Sequence, residues 1–150
     1  MSSARYDLGS YGVKIELPIH WGEMDAFDHV NNVNYFRYFE SARIAYFMRV
    51  GIGTSLADAK LAPILAETSC RYRFPLRFPD SVTVAARTLT YTDTELHMEY
   101  LIWSQTKDNA AAVGTGRVVC FDFEAGSRCR FPDSVLNAVR ALDPLSQKKG

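Results

Sequence analysis

Apolar and polar positions alternate early in the chain: Val13, Ile15, Leu17 and Ile19 are interleaved with Lys14, Glu16, Pro18 and His20. This period of two predicts a first, half-buried strand. From about Val30 to Val50 the pattern changes. The stretch has no Pro or Gly, is rich in Phe, Tyr, Ala, Arg and Glu, and is followed by Gly51 and Ile52. A long helix is predicted there, with Gly51 as its left-handed terminator and Ile52 as the apolar contact beyond it. Tyr35, Phe36, Tyr38, Phe39, Ala42, Ile44, Ala45, Tyr46, Phe47 and Met48 occupy most of its circumference, leaving a narrow stripe of Arg37, Glu40, Ser41 and Arg43. A helix apolar nearly all round is expected to be enclosed by other elements.

Strands account for much of the remainder. Ile64, Ala66, Thr68, Cys70, Tyr72 and Phe74 alternate with Leu65, Glu67, Ser69, Arg71 and Arg73 until Pro75 and Pro79-Asp80 interrupt them. Val82 to Ala86 opens the next strand, Thr92-Asp93 turns the chain, and Leu96 to Trp103 continues it. After the polar turn Lys107-Asp108-Asn109, the positions Val113 to Phe123 give the last long alternation. On its opposite face Gly114 and Gly116 remove side chains where a helix can approach closely. A short helix is predicted from Pro132-Asp133 to about Leu142, with proline in its first turn. The order is strand, long helix, then four strands joined by short turns, which makes the sheet antiparallel. The expected fold class is α+β, one helix buried against a curved sheet. Open sheet edges favour pairing with a second copy of the chain.

Length and composition fit one domain. The chain has 150 residues, 47% hydrophobic and 23% charged, which suits a globular core and excludes a disordered or fibrous protein. The core is expected over about 12–142, with a frayed polar tail at 146–150. The 17 basic and 17 acidic residues cancel, so no bulk charge argues for nucleic acid or an anionic membrane. No apolar run is long enough to span a bilayer, and the first residues carry no apolar leader. The expected location is therefore cytoplasmic. Cys70, Cys120 and Cys129 form no paired motif, and His20, His29 and His97 have no metal-ligand spacing, so neither a disulfide framework nor a metal is expected.

The segment with chemical potential is Trp21-Gly22-Glu23-Met24-Asp25-Ala26-Phe27-Asp28-His29-Val30-Asn31-Asn32-Val33-Asn34-Tyr35, which joins the first strand to the aromatic helix. Asparagine is a preferred N-cap, so the helix is expected to begin within residues 31–34. Its first turn exposes unpaired N–H groups and a partial positive charge, suited to a carbonyl oxygen as it becomes an oxyanion. A carboxylate just upstream completes a minimal set for acyl transfer to water. The same residues also read as a plain capping cluster, with Asp25 and Asp28 as caps and the asparagines in Asx turns.

Asp25-Ala26-Phe27-Asp28-His29-Val30-Asn31-Asn32-Val33-Asn34-Tyr35, followed by Tyr38, Phe39-Glu40 and Ala42-Arg43, resembles the hotdog-fold acyl-CoA thioesterases of the 4-hydroxybenzoyl-CoA thioesterase type. Their usual pattern is an Asp, two residues, Gly-His-Val-Asn-Asn, then a Tyr and Glu-x-Ala-Arg on the helix. Tyr72-Arg73-Phe74-Pro75-Leu76-Arg77-Phe78-Pro79-Asp80 resembles that family's Tyr-x-x-Pro-Leu-x-x-x-Asp stretch. The resemblance implies a sheet wrapped around the helix, subunits paired as a dimer or tetramer, and an acyl-CoA site at the dimer interface. It implies no cofactor other than the CoA of the substrate. The family's essential carboxylate falls on Asp25, acting as nucleophile or general base, and its carbonyl-polarising backbone N–H falls near Asn32. His29, Asn31 and Tyr35 belong to the matched motif, as substrate contacts or as scaffolding. Arg71, Arg73, Arg128 and Arg130 are expected to meet CoA phosphates, since guanidinium suits that geometry. Asp28 departs from the pattern: glycine is usual there, which points to a tight approach or a positive φ. Two other activities fit the same residues: hydrolysis of acyl groups on a carrier protein, and a silent acyl-CoA-binding dimer.

Overall fold

A computed structural model describes residues 6–52 and 61–150. Part of the leader reading falls on residues 1–5, outside the described residues. Among these described residues seven strands and two α-helices follow in order: β1 (Val13–Pro18), α1 (Asn32–Val50), β2 (Leu61–Tyr72), β3 (Ser81–Tyr91), β4 (Glu95–Ser104), β5 (Asn109–Asp122), β6 (Ser127–Arg128), α2 (Asp133–Leu142) and β7 (Gln147–Lys148). The sheet runs β1-β3-β4-β5-β2, with β6 beside β5 and β7 beside β3. Apart from the two-residue β7, which runs parallel to β3, the sheet is antiparallel and curls around α1, the hotdog arrangement, and the α+β expectation holds.

The strand order corrects one expectation. β2 does not turn into β3 as a neighbour; it lies on the far edge, pairing with β5 from Leu61↔Asp122 to Tyr72↔Ala112. Alternation reports which face a residue takes and is silent about which strand lies beside it. β2 is also less regular than its pattern suggests, because its register with β5 shifts between Leu65 and Glu67, leaving Ala66 as the extra residue of a bulge.

Helix α1 ends as read. Gly51 adopts φ +87°, its N–H donates to the Phe47 carbonyl, and Ile52 is buried. Tyr35, Tyr38, Phe39, Ala42, Tyr46, Phe47 and Val50 join the main core. The helix is not enclosed within one chain, however. Val33, Ile44 and Met48 are 57%, 50% and 67% exposed, so the sheet and α2 cover one side and an apolar stripe faces outward. Composition around a helix cannot say whether its cover comes from the same chain.

The two packing glycines of β5 have different neighbours. A Cβ at Gly114 would strike Phe39 of α1, as expected, whereas one at Gly116 would strike Tyr100 on the adjacent strand β4. The C-terminal tail differs as well. Gln147 and Lys148 pair in parallel with Thr90 and Tyr91, and the Lys148 ammonium lies 2.9 Å from Asp93. Backbone bonding and an ion pair hold there what composition alone reads as frayed.

Candidate active site

The loop between β1 and α1 is built on Glu23. Its Oε1 accepts from the His20 N–H at 2.8 Å and from the Tyr38 hydroxyl at 3.0 Å. Its carbonyl accepts from the Asn31 N–H at 2.9 Å and the Asn34 amide at 3.0 Å. Glu23 therefore ties the loop to the helix rather than facing a ligand. Burial, followed by the hydrogen bond to Glu23, pushes the Tyr38 phenol well above its ordinary range.

Residues 25–29 make a tight turn. The Asp25 N–H donates to the His29 carbonyl at 2.8 Å and the Asp28 N–H to the Asp25 carbonyl at 3.1 Å. Asp28 takes φ +59°, the left-handed region in which glycine is favoured and Asp is among the better-tolerated alternatives. The departure from the family's glycine thus falls on a position whose backbone calls for it. The turn also orients Asp25: its Oδ1 accepts from the Phe27 N–H at 2.8 Å and from the His29 N–H at 3.5 Å. Among the described residues only Oδ1 has recorded hydrogen bonds, leaving Oδ2 for another partner. The His29 backbone closes this turn through both its N–H and its carbonyl.

Helix α1 begins where the asparagines predict. Asn31 is the N-cap, and its Oδ1 accepts from the Val33 N–H at 3.1 Å. The Asn34 N–H donates to the Asn31 carbonyl at 2.9 Å. Among the described residues no acceptor is recorded for the Asn32 N–H, so the first helical amide remains free at the positive end of the helix. The Asn31 Oδ1 is taken up by the cap, and the residue also lines the cleft described next.

Asp25 and Asn32 open on one cleft of about 590 Å³, whose opposite wall is Tyr72, Arg73 and Phe74, with Tyr35 between. Tyr35 is buried; its hydroxyl accepts from the Leu76 N–H at 3.0 Å, and its ring meets that of Tyr72 edge-on at 4.9 Å. The Val30 N–H donates to the Leu76 carbonyl at 2.9 Å, so the segment after β2 is fastened to both the loop and the helix. Burial lifts the Tyr35 phenol even against that Leu76 bond. Asp80, at the end of the second motif, accepts from Ser104 Oγ at 2.5 Å and from the Thr106 N–H at 3.0 Å. It anchors the far end of this segment and is a structural residue.

Arg73 lines the cleft, lies 4.9 Å from the Tyr6 ring centre, and has a buried Nη1 without a hydrogen-bond partner. Arg71 is exposed on β2, opposite Val113. Arg128 and Arg130 are elsewhere. Arg128 pairs with Phe121, whereas Tyr72 pairs with Ala112, nine residues along β5 and about 30 Å away. Arg128 is 2.7 Å from Glu95, and Arg130 is 2.9 Å from both Asp93 and Asp133. Neither lines the cleft within one chain, and both charges are paired with local acids.

Tyr72 and Phe74 were missed as site residues, although both stand in the second matched motif. Cys70, beside Tyr72, has its thiol pushed up to about 11 by burial, the opposite of what a nucleophilic cysteine needs. No group of three metal-ligating side chains occurs among the described residues. None of the helices among them is long and apolar enough to cross a membrane.

Comparison with known proteins places this geometry. Protein THEM6 of Xenopus laevis is 25% identical over 137 residues, covering 84% of this chain and 66% of that protein. Matches to further curated relatives cover 57% and 45% of their lengths, so the chain spans roughly half to two thirds of them. A thioesterase from Thermus thermophilus, solved with coenzyme A and Zn, is 28% identical, with a TM-score of 0.78 over 90% of this chain and 96% of that one. A gentisyl-coenzyme A thioesterase is 25% identical, with a TM-score of 0.74 over 84% and 98%. Residues 19–139, which contain the whole cleft, match the thioesterase-like superfamily, and the chain is a hotdog-fold member of that family.

Proposed function

We propose that the protein hydrolyses an acyl-CoA to a carboxylic acid and free CoA. The observation that carries this reading is that Asp25 and Asn32 line the same cleft and that, among the described residues, the Asn32 N–H has no acceptor. A thioester carbonyl seated there has its oxygen at the Asn32 N–H. Attack on its carbon, by water deprotonated at Asp25 or by the carboxylate itself, puts negative charge on that oxygen, where the amide and the helix end stabilise it. Collapse of the adduct breaks the C–S bond and releases the CoA thiolate, which takes up a proton. When the carboxylate attacks, water then hydrolyses the acyl-Asp25 anhydride to the acid. Arg73, with its unpaired Nη1, and the neighbouring Arg71 are assigned to the anionic part of CoA, since guanidinium matches phosphate oxygens. The outward stripe of Val33, Ile44 and Met48 is assigned to a second copy of the chain, giving a dimer with the cleft beside its interface. The solved relatives named with coenzyme A support the ligand class.

The test is release of free thiol from a panel of short, medium, long and aromatic acyl-CoAs. Asp25→Asn is expected to lower turnover of the best substrate by about a hundredfold or more while the oligomer persists. Near wild-type turnover by that variant refutes the assignment of Asp25. Binding of acyl-CoA without thiol release across the panel favours a silent binder instead.

A further inference from the structure

Two of the chain's three cysteines meet. Cys120 lies near the end of β5 and Cys129 directly after β6, and their sulfurs are 3.2 Å apart. Strand register brings about the contact. Phe121 pairs with Arg128 and Asp122 with Ser127, so one further step along the hairpin sets Cys120 opposite Cys129, whose N–H donates to the Cys120 carbonyl at 3.0 Å. Opposite residues of an antiparallel pair stand about 4.5–5.5 Å apart at Cα, inside the range of about 4.4–6.8 Å that a disulfide spans. Both side chains take the inner face of the sheet: Cys120 belongs to the main core and Cys129 packs against it. To reach a bond of about 2.05 Å the sulfurs must approach by about 1.2 Å, a displacement on the scale of side-chain rotation.

Cys70 provides an internal contrast, because it sits on β2 opposite Gly114 and has no side chain across the ladder to join. The contact between Cys120 and Cys129 lies within one chain, so it holds whatever covers the outside of the subunit. Nor does the sequence advertise it, since nine positions separate the two residues and only the hairpin brings them together. The segment they bracket is lightly held: β6 is two residues long and exposed. Beyond it the chain crosses to α2 through Phe131, which is buried and whose N–H donates to the Asp93 carbonyl at 2.8 Å.

We infer that Cys120 and Cys129 are a modification site, forming a reversible intrachain disulfide by exchange with a low-molecular-weight disulfide of the oxidised-glutathione class. Cys129 is half-buried and Cys120 fully buried. Burial, followed by the contact with the Cys129 thiol, also pushes Cys120 up to about 12, so Cys129 engages the oxidant first. Its thiolate attacks one sulfur of the small disulfide and expels one small thiolate, leaving a mixed disulfide on Cys129. Cys120 then gives up its proton, and its sulfur attacks Cys129 Sγ and expels the second small thiolate. Two protein thiols are oxidised, one small disulfide is reduced to two thiols, and the two protons pass to the leaving thiolates. The new bond closes the chain over residues 120–129 and fixes β6 against β5. This inference is independent of the thioesterase reading, and its test uses no acyl-CoA.

The experiment equilibrates the native protein with oxidised glutathione, removes the reagent, and counts free thiols by alkylation and mass spectrometry after denaturation in acid. Of the three cysteines, only Cys70 is expected to remain free, with no glutathione retained. Trypsin cuts after Arg128, so Cys120 and Cys129 fall on separate peptides that should run as one linked species and part on reduction. The oxidised protein should melt about 5–10 °C higher than the reduced one, as closure of a short loop predicts, and reductant should reverse the shift. Cys129→Ser should abolish both the link and the shift, and Cys70→Ser should keep both. Three free thiols in the treated wild type overturn the inference, whether or not either variant folds. So does glutathione retained on Cys129 without the link, a link through Cys70 or between chains, or a melting shift that survives Cys129→Ser.

Discussion

Gly114 sets how closely α1 approaches the sheet, and Gly114→Ala measures that fit. The added Cβ would lie 2.5 Å from Phe39 Cζ and 2.8 Å from the Ser69 carbonyl oxygen. Neither neighbour gives easily. Phe39 is fully buried and stacked on Tyr100 at 5.1 Å and 21°, and the carbonyl belongs to the β2 backbone. Overpacking of this kind costs about 1–3 kcal/mol, and two rigid neighbours place it at the upper end. Loss of glycine's freedom in the unfolded chain returns about 0.4–1 kcal/mol, leaving a net destabilisation of about 2 kcal/mol. For a domain of this size that lowers Tm by about 4–8 °C. Thermal melting followed by circular dichroism is the assay, with urea unfolding as a check that the midpoint moves while m does not. Phe39→Leu should relieve the clash, so that the double variant loses less than the sum of the two single losses by about 1 kcal/mol. A Gly114→Ala protein that melts within about 1 °C of wild type, or strictly additive losses, would refute the close-approach argument.

Asn32→Ala should keep hydrolysis within a few-fold of wild type, because the main chain donates the hydrogen bond, whereas Asn31→Ala should cost about 1 kcal/mol of stability through loss of the cap; melting and thiol release on the two variants check the contrast. Burial raises the Asp80 carboxyl, but the Ser104 hydroxyl and the Thr106 and Ser81 amides outweigh it and hold its pKa below the ordinary value of 3.8. A depressed folded-state value stabilises above the unfolded pKa and is lost as pH falls through the folded one. Urea midpoints measured from pH 6 down to pH 2 should therefore fall less steeply in Asp80→Asn than in wild type; parallel curves would remove Asp80 from the acid limb.

The elements were largely legible because local rules and tertiary packing agree. The aromatic run from residue 32 to 50, closed by Gly51, and the amphipathic run from Asp133 to Leu142 are both helices. Neighbour relations were less legible. The alternation in β2 says nothing of its place beside β5, and its long exposed edge is compatible with any partner. Gln147 and Lys148 pair with Thr90 and Tyr91 of β3, and Lys148 meets Asp93; these partners lie more than fifty residues away in sequence, so a polar composition reads there as a free end.

At the site, the residue types were legible and the division of labour was not. Glu23, Asp25 and Asp28 stand within six residues of one another, and the sequence alone ranks them only through a family pattern. The structure separates them by what each touches. Glu23 is spent on Tyr38 and the His20 amide. Asp28 occupies a backbone conformation better suited to glycine. Asp25 has one oxygen held by the turn it closes, which orients the other. The capping reading and the catalytic reading are therefore compatible: the Asx turn fixes the carboxylate, and the Asn31 cap takes the Val33 amide, while among the described residues the Asn32 amide has no acceptor.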